Sequence, residues 1–166
     1  MILGDGVINN IIRKQHQQLI TQVKKVLKPT GRCVFREGIA IPAEKLLLIK
    51  EIVKNYRRDQ EHWFELYWDI LCHCYDRNKW YDLPSRLSNL GKMYEVVEEY
   101  YRQGIINEQE FNNLIKIKSE LTHTFLFLEE YEHLFKQDFE LLPVEQAKDF
   151  RFTKDSMIFF YGKVKK

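Results

Sequence analysis

The chain has 166 residues, of which 45% are hydrophobic and 14% are aromatic. This length and apolar content suit one globular domain with a packed core and exclude wholesale disorder. Cys33, Cys72 and Cys74 are too few and too unevenly spaced for a disulfide framework or a zinc finger. No apolar run is long enough for a signal peptide or a membrane span. We therefore expect a cytoplasmic protein with no membrane partner.

The formal net charge of +2 hides an uneven distribution. Residues 1–60 hold 12 Lys and Arg against 5 Asp and Glu, whereas residues 61–150 hold 9 against 18. This separation indicates either a basic surface for phosphate-bearing partners or a basic half that folds against an acidic half of the same chain. If the partner is RNA or DNA, the cations expected to contact its phosphates are Lys14, Lys24, Lys25, Lys28, Arg32, Arg36, Arg57 and Arg58.

The hydrophobic spacing predicts a first helix over about residues 6–27, because apolar side chains recur at helical intervals and Pro29 prevents its continuation. Residues 33–41 predict a short hairpin or an extended arm that turns at Gly38. The longest predicted helix covers about residues 42–75, in which apolar residues step by three and four. At 1.5 Å per residue it would be about 50 Å long, and would serve as the spine of a bundle.

Two more helices are predicted over about residues 84–103 and 107–137. Gly104 stands where a left-handed residue ends a helix, and Asn107 with Glu110 resembles a capping box. The aromatic-rich stretch 150–161 predicts a second hairpin, which could pair with residues 33–41, or a short amphipathic helix.

Together these elements predict an all-α fold of the four-helix-bundle type, with one long spine helix and small β-hairpin elements at 33–41 and 150–161. We expect a single helical domain over residues 1–166, with a basic tail from about residue 162.

One short string suggests chemistry. Arg57 and His62 stand five residues apart in YRRDQEHW, which resembles the R-x4-H motif of HEPN-type ribonucleases, helical bundles that dimerise to join two such motifs. The resemblance implies metal-independent RNA cleavage, in which His62 transfers a proton and Arg57 stabilises the developing charge. On a continuous helix, however, residues five apart point about 140° away from each other.

The patterns that could hold a metal or a nucleotide are weak. Carboxylate-x-x-His steps occur at Asp59–His62, Glu120–His123 and Glu130–His133. Helical geometry turns His123 and His133 away from the apolar seam, and consecutive residues of Cys72–Cys74 diverge by about 100°. The chain also lacks the phosphate-binding strings G-x-x-x-x-G-K-[ST] and G-x-G-x-x-G. We predict no metal site and no cofactor.

These observations favour a non-catalytic helical interaction module: an adaptor, a regulator or an assembly subunit. Its expected partner is another protein or a second copy of itself, with RNA or DNA bound through the basic N-terminal region. The alternative is the HEPN-like ribonuclease that uses Arg57 and His62. Aromatic side chains dominate binding hot spots, and those expected to contact a protein partner are Phe64, Trp68, Trp80 and Tyr81.

Overall fold

The structure is a computed structural model that describes residues 1–59, 62–148 and 155–165. The protein is mixed α/β, with 22% of its residues in strands, so the predicted all-α bundle is wrong. The chain divides into two compact units: unit 1 comprises Met1–Ala40 and Thr124–Lys166, and unit 2 comprises Ile41–His123. The organisation into a single domain over residues 1–166 stays a prediction. Among the described residues, no helix is both long and apolar enough to traverse a bilayer.

The elements follow one another along the chain in a mixed order. The strands and α-helices are β1 (Ile2–Asp5), α1 (His16–Val26), β2 (Arg32–Gly38), α2 (Ile49–Asp59), α3 (Trp63–His73), β3 (Tyr81–Asp82), β4 (Leu87–Asn89), α4 (Leu90–Arg102), α5 (Glu108–Ile115), β5 (Thr122–Thr124), α6 (Leu128–Lys136), β6 (Phe139–Leu141), β7 (Glu145–Gln146) and β8 (Met157–Val164). Short 3-10 turns lie at Arg13–Gln15, Ala43–Lys45 and Tyr75–Lys79.

Unit 1 is built on a five-stranded sheet in the order β1-β2-β8-β6, with β7 also paired to β8. β1 and β2 are parallel, whereas β8 is antiparallel to β2, β6 and β7. A parallel pair needs a crossover connection, and α1 provides it between β1 and β2. The predicted first helix over residues 6–27 is therefore confined to α1, and the chain before it begins with a strand.

The core of unit 1 is aromatic. The rings of Phe35 from β2 and Phe160 from β8 each lie 5.2 Å from the ring of Phe135 in α6, and Tyr131 lies 5.2 Å from Phe160. All four side chains are buried. Phe35 and Phe160 are register partners in neighbouring strands, so the alternation of side chains along the strands presents both to α6.

The two predicted hairpin segments are strands of this sheet instead of hairpins, but the pairing suggested between them is confirmed for residues 34–38 and 157–161. Arg36, Glu37 and Gly38, which were expected to form a turn, continue β2 and pair with β8. In the segment 150–161, residues 150–154 lie outside the described part, and residues 157–161 belong to β8. The segment predicted as a tail from about residue 162 lies partly within β8, which extends to Val164.

Unit 2 contains α2, α3, α4 and α5, together with β3 and β4 of a three-stranded sheet in the order β3-β4-β5. The predicted spine helix over residues 42–75 is wrong, because α2 ends at Asp59 and α3 begins at Trp63. His62 has an extended backbone, and its Nδ1 accepts a hydrogen bond from the N–H of Phe64 at 3.3 Å. His62 therefore caps a new helix; the step of three and four residues had suggested one continuous helix.

Two local predictions in unit 2 are confirmed. Gly104 has φ +70°, in the left-handed region, and follows the end of α4. The Asn107 side chain accepts from the Glu110 N–H at 2.9 Å, while Glu110 accepts from the Asn107 N–H at 2.8 Å, which completes the capping box. The predicted helix over residues 107–137 is wrong, however, because α5 ends at Ile115 and β5 precedes α6.

Candidate functional site

The candidate site lies at the edge of the unit 1 sheet where β1 and β2 end. Because the two strands are parallel, their carboxyl ends meet at the same edge. In open α/β sheets, ligands bind outside the carboxyl ends of the strands, at the point where the strand order reverses. Within the described residues β1 is an outermost strand of the sheet.

Asp5, the last residue of β1, carries the exposed carboxylate of this edge. Its register partner is Arg36 in β2. The Arg36 Nε donates to Asp5 Oδ1 at 2.8 Å, and Nη2 donates to Oδ2 at 2.6 Å. This two-point pairing fixes the plane of the carboxylate. The Asp5 side chain nevertheless remains 62% exposed, so its other lone pairs are accessible to the hydroxyl or amine hydrogens of a ligand.

Gly6 turns the chain away from the sheet directly after Asp5. Its φ is +61°, in the left-handed region that glycine adopts without a steric cost. The Gly6 N–H donates to the carbonyl of Arg36 at 2.7 Å, and the Asn10 side chain donates to the Gly6 carbonyl at 2.7 Å. A Cβ at Gly6 would come within 4 Å of the Asn10 amide nitrogen alone, at 3.8 Å. The turn is therefore held by two hydrogen bonds, and even a Cβ at Gly6 would make no close contact.

Glu37 holds the loop that follows this turn. Its carboxyl group is fully buried and accepts the N–H of Ile8 at 3.1 Å and the N–H of Asn9 at 3.2 Å. Burial raises the pKa of Glu37 to about 7, against the opposing effect of these N–H groups. A buried carboxyl group thus replaces the backbone partners that the loop lacks.

Asn9 links the loop to the end of β2 and to the α6 side of the unit. Its Oδ1 accepts the Gly38 N–H at 2.7 Å. Its Nδ2 donates to the carbonyls of Gly38 at 2.9 Å and Thr124 at 2.6 Å, and lies 3.0 Å from the Tyr131 hydroxyl. Asn9 is buried, so these bonds are shielded from water. Glu37 and Asn9 together give the loop a single conformation.

The basic residues predicted to bind nucleic acid are divided between the two units. Arg36 lies at the site described above. Lys24 pairs with Asp138 at 3.2 Å, and Arg58 pairs with Asp59 at 2.7 Å in unit 2. The remaining cations of unit 1 are exposed, and they are Lys14, Lys25, Lys28 and Arg32. Their contact with RNA or DNA stays a prediction.

The two residues of the R-x4-H string have separate structural partners. Arg57 donates to both carboxylate oxygens of Glu110 at 2.7 Å and to the Ile105 carbonyl at 3.1 Å. His62 caps α3 through its Nδ1. The Glu110 carboxylate raises the pKa of the Arg57 guanidinium. Arg57 therefore connects α2 to the start of α5, whereas His62 is bonded to the first turn of α3.

The aromatic residues predicted to contact a partner differ in exposure. Trp80 is 3% exposed and Tyr81 is 7% exposed, so both side chains are buried. The guanidinium of Arg77 lies 5.3 Å from the Tyr81 ring centre. Phe64 and Trp68 are half-buried and stacked, with 6.2 Å between ring centres. A role for these four residues in partner binding stays a prediction.

The described part of the chain contains no group of three or more His, Cys, Asp or Glu side chains that could hold a metal ion. The three cysteines are buried and unpaired with one another. Burial raises the pKa of Cys33 to about 11 and also raises that of Cys74, which is typical of unreactive thiols.

No family model and no curated protein sequence matches the chain. Two solved structures resemble it. The PH0226 protein from Pyrococcus horikoshii OT3 shares 12% identity, with a TM-score of 0.49 over 98% of this chain and 50% of that one. A protein described as a Zn-dependent alcohol dehydrogenase from Rhodobacter sphaeroides shares 10% identity, with a TM-score of 0.51 over 99% of this chain and 58% of that one. The chain thus spans between half and three fifths of their lengths.

The second of these similarities shows a Rossmann-like α/β fold. The predicted non-catalytic helical module is therefore wrong, because it was inferred from an all-α bundle that the protein does not form. The HEPN-like alternative fails for the same reason, since it also assumed a helical bundle.

The sequence analysis overlooked Asp5, Gly6, Asn9 and Glu37. The available signal was the short apolar run Ile2-Leu3 followed by Gly-Asp-Gly, which is typical of a short strand that ends in a tight turn. A second apolar run at residues 33–35 was the other strand. Both runs were too short to outweigh the helical spacing around them.

Proposed function

We propose that the chain is part of a Rossmann-like enzyme that binds a nucleoside-bearing cofactor at the carboxyl ends of β1 and β2. The observation that carries this proposal is the exposed Asp5 carboxylate at the end of an outermost parallel strand, fixed by Arg36 and followed by the Gly6 turn. The dinucleotide-binding form of this fold uses an acidic residue to accept hydrogen bonds from a ribose hydroxyl. We assign that role to Asp5.

The direction of β8 favours one nucleoside over two. A dinucleotide-binding sheet consists of two halves, each built from parallel strands with crossover helices. In unit 1 the strand next to β2 is the antiparallel β8, and β6 lies beyond it. This half therefore does not repeat the parallel mononucleotide-binding unit. We therefore favour a cofactor that carries one nucleoside, and we propose S-adenosylmethionine.

The residues at the site fit the ribose part of this cofactor. Asp5 supplies acceptor oxygens, and the lack of a side chain at Gly6 leaves room for close approach. When bound, S-adenosylmethionine supplies an electrophilic methyl group to an acceptor. In this scheme Asp5 accepts hydrogen bonds from the ribose hydroxyl groups, and Arg36 fixes the orientation of the Asp5 carboxylate. Glu37 and Asn9 hold the loop after Gly6 in place, and this loop would contact the ligand.

Zinc does not enter the proposal. A catalytic zinc site needs three protein ligands, and the ranges that the structure describes contain no such group of His, Cys, Asp or Glu.

Isothermal titration calorimetry with S-adenosylhomocysteine, which cannot transfer a methyl group, tests the proposal. We expect saturable binding that Asp5→Asn weakens about tenfold or more, because a hydrogen bond to a charged group contributes about 1.5–3 kcal/mol. The matched control is Asp155→Asn, which changes an exposed aspartate of the same unit and should leave the affinity unchanged. Tighter binding of NADH than of S-adenosylhomocysteine, or equal affinities of Asp5→Asn and the wild type, would refute it.

A further inference from the structure

A basic cavity lies within unit 2, between α2 and the turn that follows α4. Its volume is about 440 Å³, which is within the range of small-molecule sites. The charged side chains that line it are Lys50, Lys54 and Arg57, and none of the described residues in its lining is acidic. The rest of the lining is Val53, Gln103, Gly104 and Ile105. An excess of positive charge on a concave surface attracts anions.

The three cations lie on one face of α2. Lys50, Lys54 and Arg57 stand four and three residues apart, which is the spacing that brings side chains to the same side of an α-helix. At about 1.5 Å per residue they cover about 10 Å along the helix axis. A single phosphate group is smaller than this span, whereas a ligand with two or more linked phosphate groups can extend along it.

The two lysines are available to a ligand. Lys50 and Lys54 are exposed, and neither forms a hydrogen bond or an ion pair with any residue that the structure describes. The acidic residues of the same helix have other partners. Glu51 accepts a backbone N–H at the start of α2 at 3.0 Å, and Asp59 pairs with the neighbouring arginine at 2.7 Å. The positive charge of both ammonium groups is therefore left without a counter-ion in this part of the fold.

Arg57 adds a guanidinium group that is held in place and only partly used. Its Nε and Nη2 donate to the Glu110 carboxylate at 2.7 Å, and Nη2 also donates to the Ile105 carbonyl at 3.1 Å. A guanidinium group has five N–H donors, so the two on Nη1 have no partner within the described ranges. The side chain is 46% exposed. Glu110 offsets the charge of Arg57, so the net charge of the cavity comes from the two lysines.

The turn after α4 does not compete for these cations. Lysines near the end of a helix can bond its last carbonyl groups, but here the N–H groups of Gly104 and Ile105 donate to the carbonyls of Tyr101 and Tyr100 at 2.9 and 3.0 Å. A Cβ at Gly104 would meet no atom within 4 Å. The turn is therefore closed by its own hydrogen bonds and has open space beside it.

We propose that this cavity binds a small anion that carries two or more linked phosphate groups, such as a diphosphate or triphosphate ester. Lys50 and Lys54 neutralise the phosphate charge, and the Arg57 Nη1 donates its two free hydrogens to phosphate oxygens. Glu110 and the Ile105 carbonyl fix the orientation of the guanidinium group. The site is independent of the proposed cofactor site, since it uses none of the residues around Asp5.

The test is isothermal titration calorimetry of the full chain with tripolyphosphate and, separately, with inorganic phosphate, at about 50 mM salt, where screening is weak. We expect tripolyphosphate to bind with a dissociation constant of about 1 mM or tighter, and inorganic phosphate to bind at least about tenfold more weakly. Lys50→Gln and Lys54→Gln should each weaken tripolyphosphate binding about threefold or more, because each removes one charge. The matched control is Lys92→Gln, at an exposed lysine of α4 outside the lining, which should change the affinity by less than about twofold.

The proposal is overturned by the absence of saturable tripolyphosphate binding up to about ten times that concentration. Equal affinities for tripolyphosphate and inorganic phosphate would overturn it as well, because the cations would then not bind linked phosphates together. The same holds if Lys92→Gln weakens binding as much as Lys50→Gln and Lys54→Gln do. Far-UV circular dichroism checks that each variant is folded. Loss of S-adenosylhomocysteine binding would count against the cofactor site alone.

Discussion

Replacing Glu37 by Gln should change how the stability of the protein depends on pH. Glu37 is fully buried, and its pKa rises from the ordinary value of 4.5 to about 7 in the folded state. The folded protein therefore holds the proton more tightly than the unfolded chain does. The free energy of unfolding must then fall as the pH rises from about 4.5 to about 7, and this loss is complete above about pH 7.

The size of the effect follows from the shift in pKa. Moving the pKa of one carboxyl group from 4.5 to about 7 makes its charged form cost roughly 3 kcal/mol of folding free energy. Glutamine has the same shape and still offers a carbonyl oxygen to the N–H groups of Ile8 and Asn9. Because it does not titrate, Glu37→Gln should gain stability relative to the wild type by roughly 3 kcal/mol between about pH 4.5 and about pH 8.

Urea unfolding followed by circular dichroism at a series of pH values measures this difference. Glu140→Gln is the control, since Glu140 is an exposed residue of β6 in the same unit, and its difference from the wild type should stay constant with pH. A difference between Glu37→Gln and the wild type that is equally constant would refute the assigned pKa. So would a wild-type stability that, relative to Glu37→Gln, increases with pH.

Other substitutions test the packing around the site and in each unit. Gly4→Ala should cost about 1–3 kcal/mol, because the new Cβ would lie 2.6 Å from the buried Phe35 ring. Gly6→Ala, whose Cβ would make only an ordinary contact with Asn10 at φ +61°, should cost about 1 kcal/mol. Thermal unfolding of the two variants ranks them, and the reverse order would contradict the close contact. Phe135→Ala should cost about 3–5 kcal/mol in chemical denaturation, because its ring lies between those of two other core residues. Asn107→Ala should cost about 1 kcal/mol, since it breaks the capping box, and a change below a few tenths in the same assay would contradict this.

Local signals in the sequence were reliable where a single turn decides the structure. Gly104 and the pair Asn107 and Glu110 specify the end of one helix and the start of another through short-range hydrogen bonds. These contacts form between residues three or four positions apart. They therefore do not depend on the rest of the fold.

The topology could not be predicted in the same way. β2 pairs with β8, more than a hundred residues away. The sequence offered this pairing only as one of two alternatives for residues 150–161, because a local pattern does not decide between a distant strand partner and a short helix. The step of three and four residues from Leu46 to Cys74 is shared by two helices separated at His62, and periodicity alone does not show such a break. The site could not be predicted from the sequence either, because Asp5 and Arg36 meet only once β1 and β2 are paired.

The central claim is that a nucleoside-bearing cofactor binds where β1 and β2 end. The most direct measurement is an NMR titration of the isotopically labelled chain with S-adenosylhomocysteine, in which backbone amide signals report the position of the ligand. The account predicts that the largest shifts fall on residues 5–10 and 36–38. Shifts centred on α2–α5, or no saturable shifts at all, would contradict it.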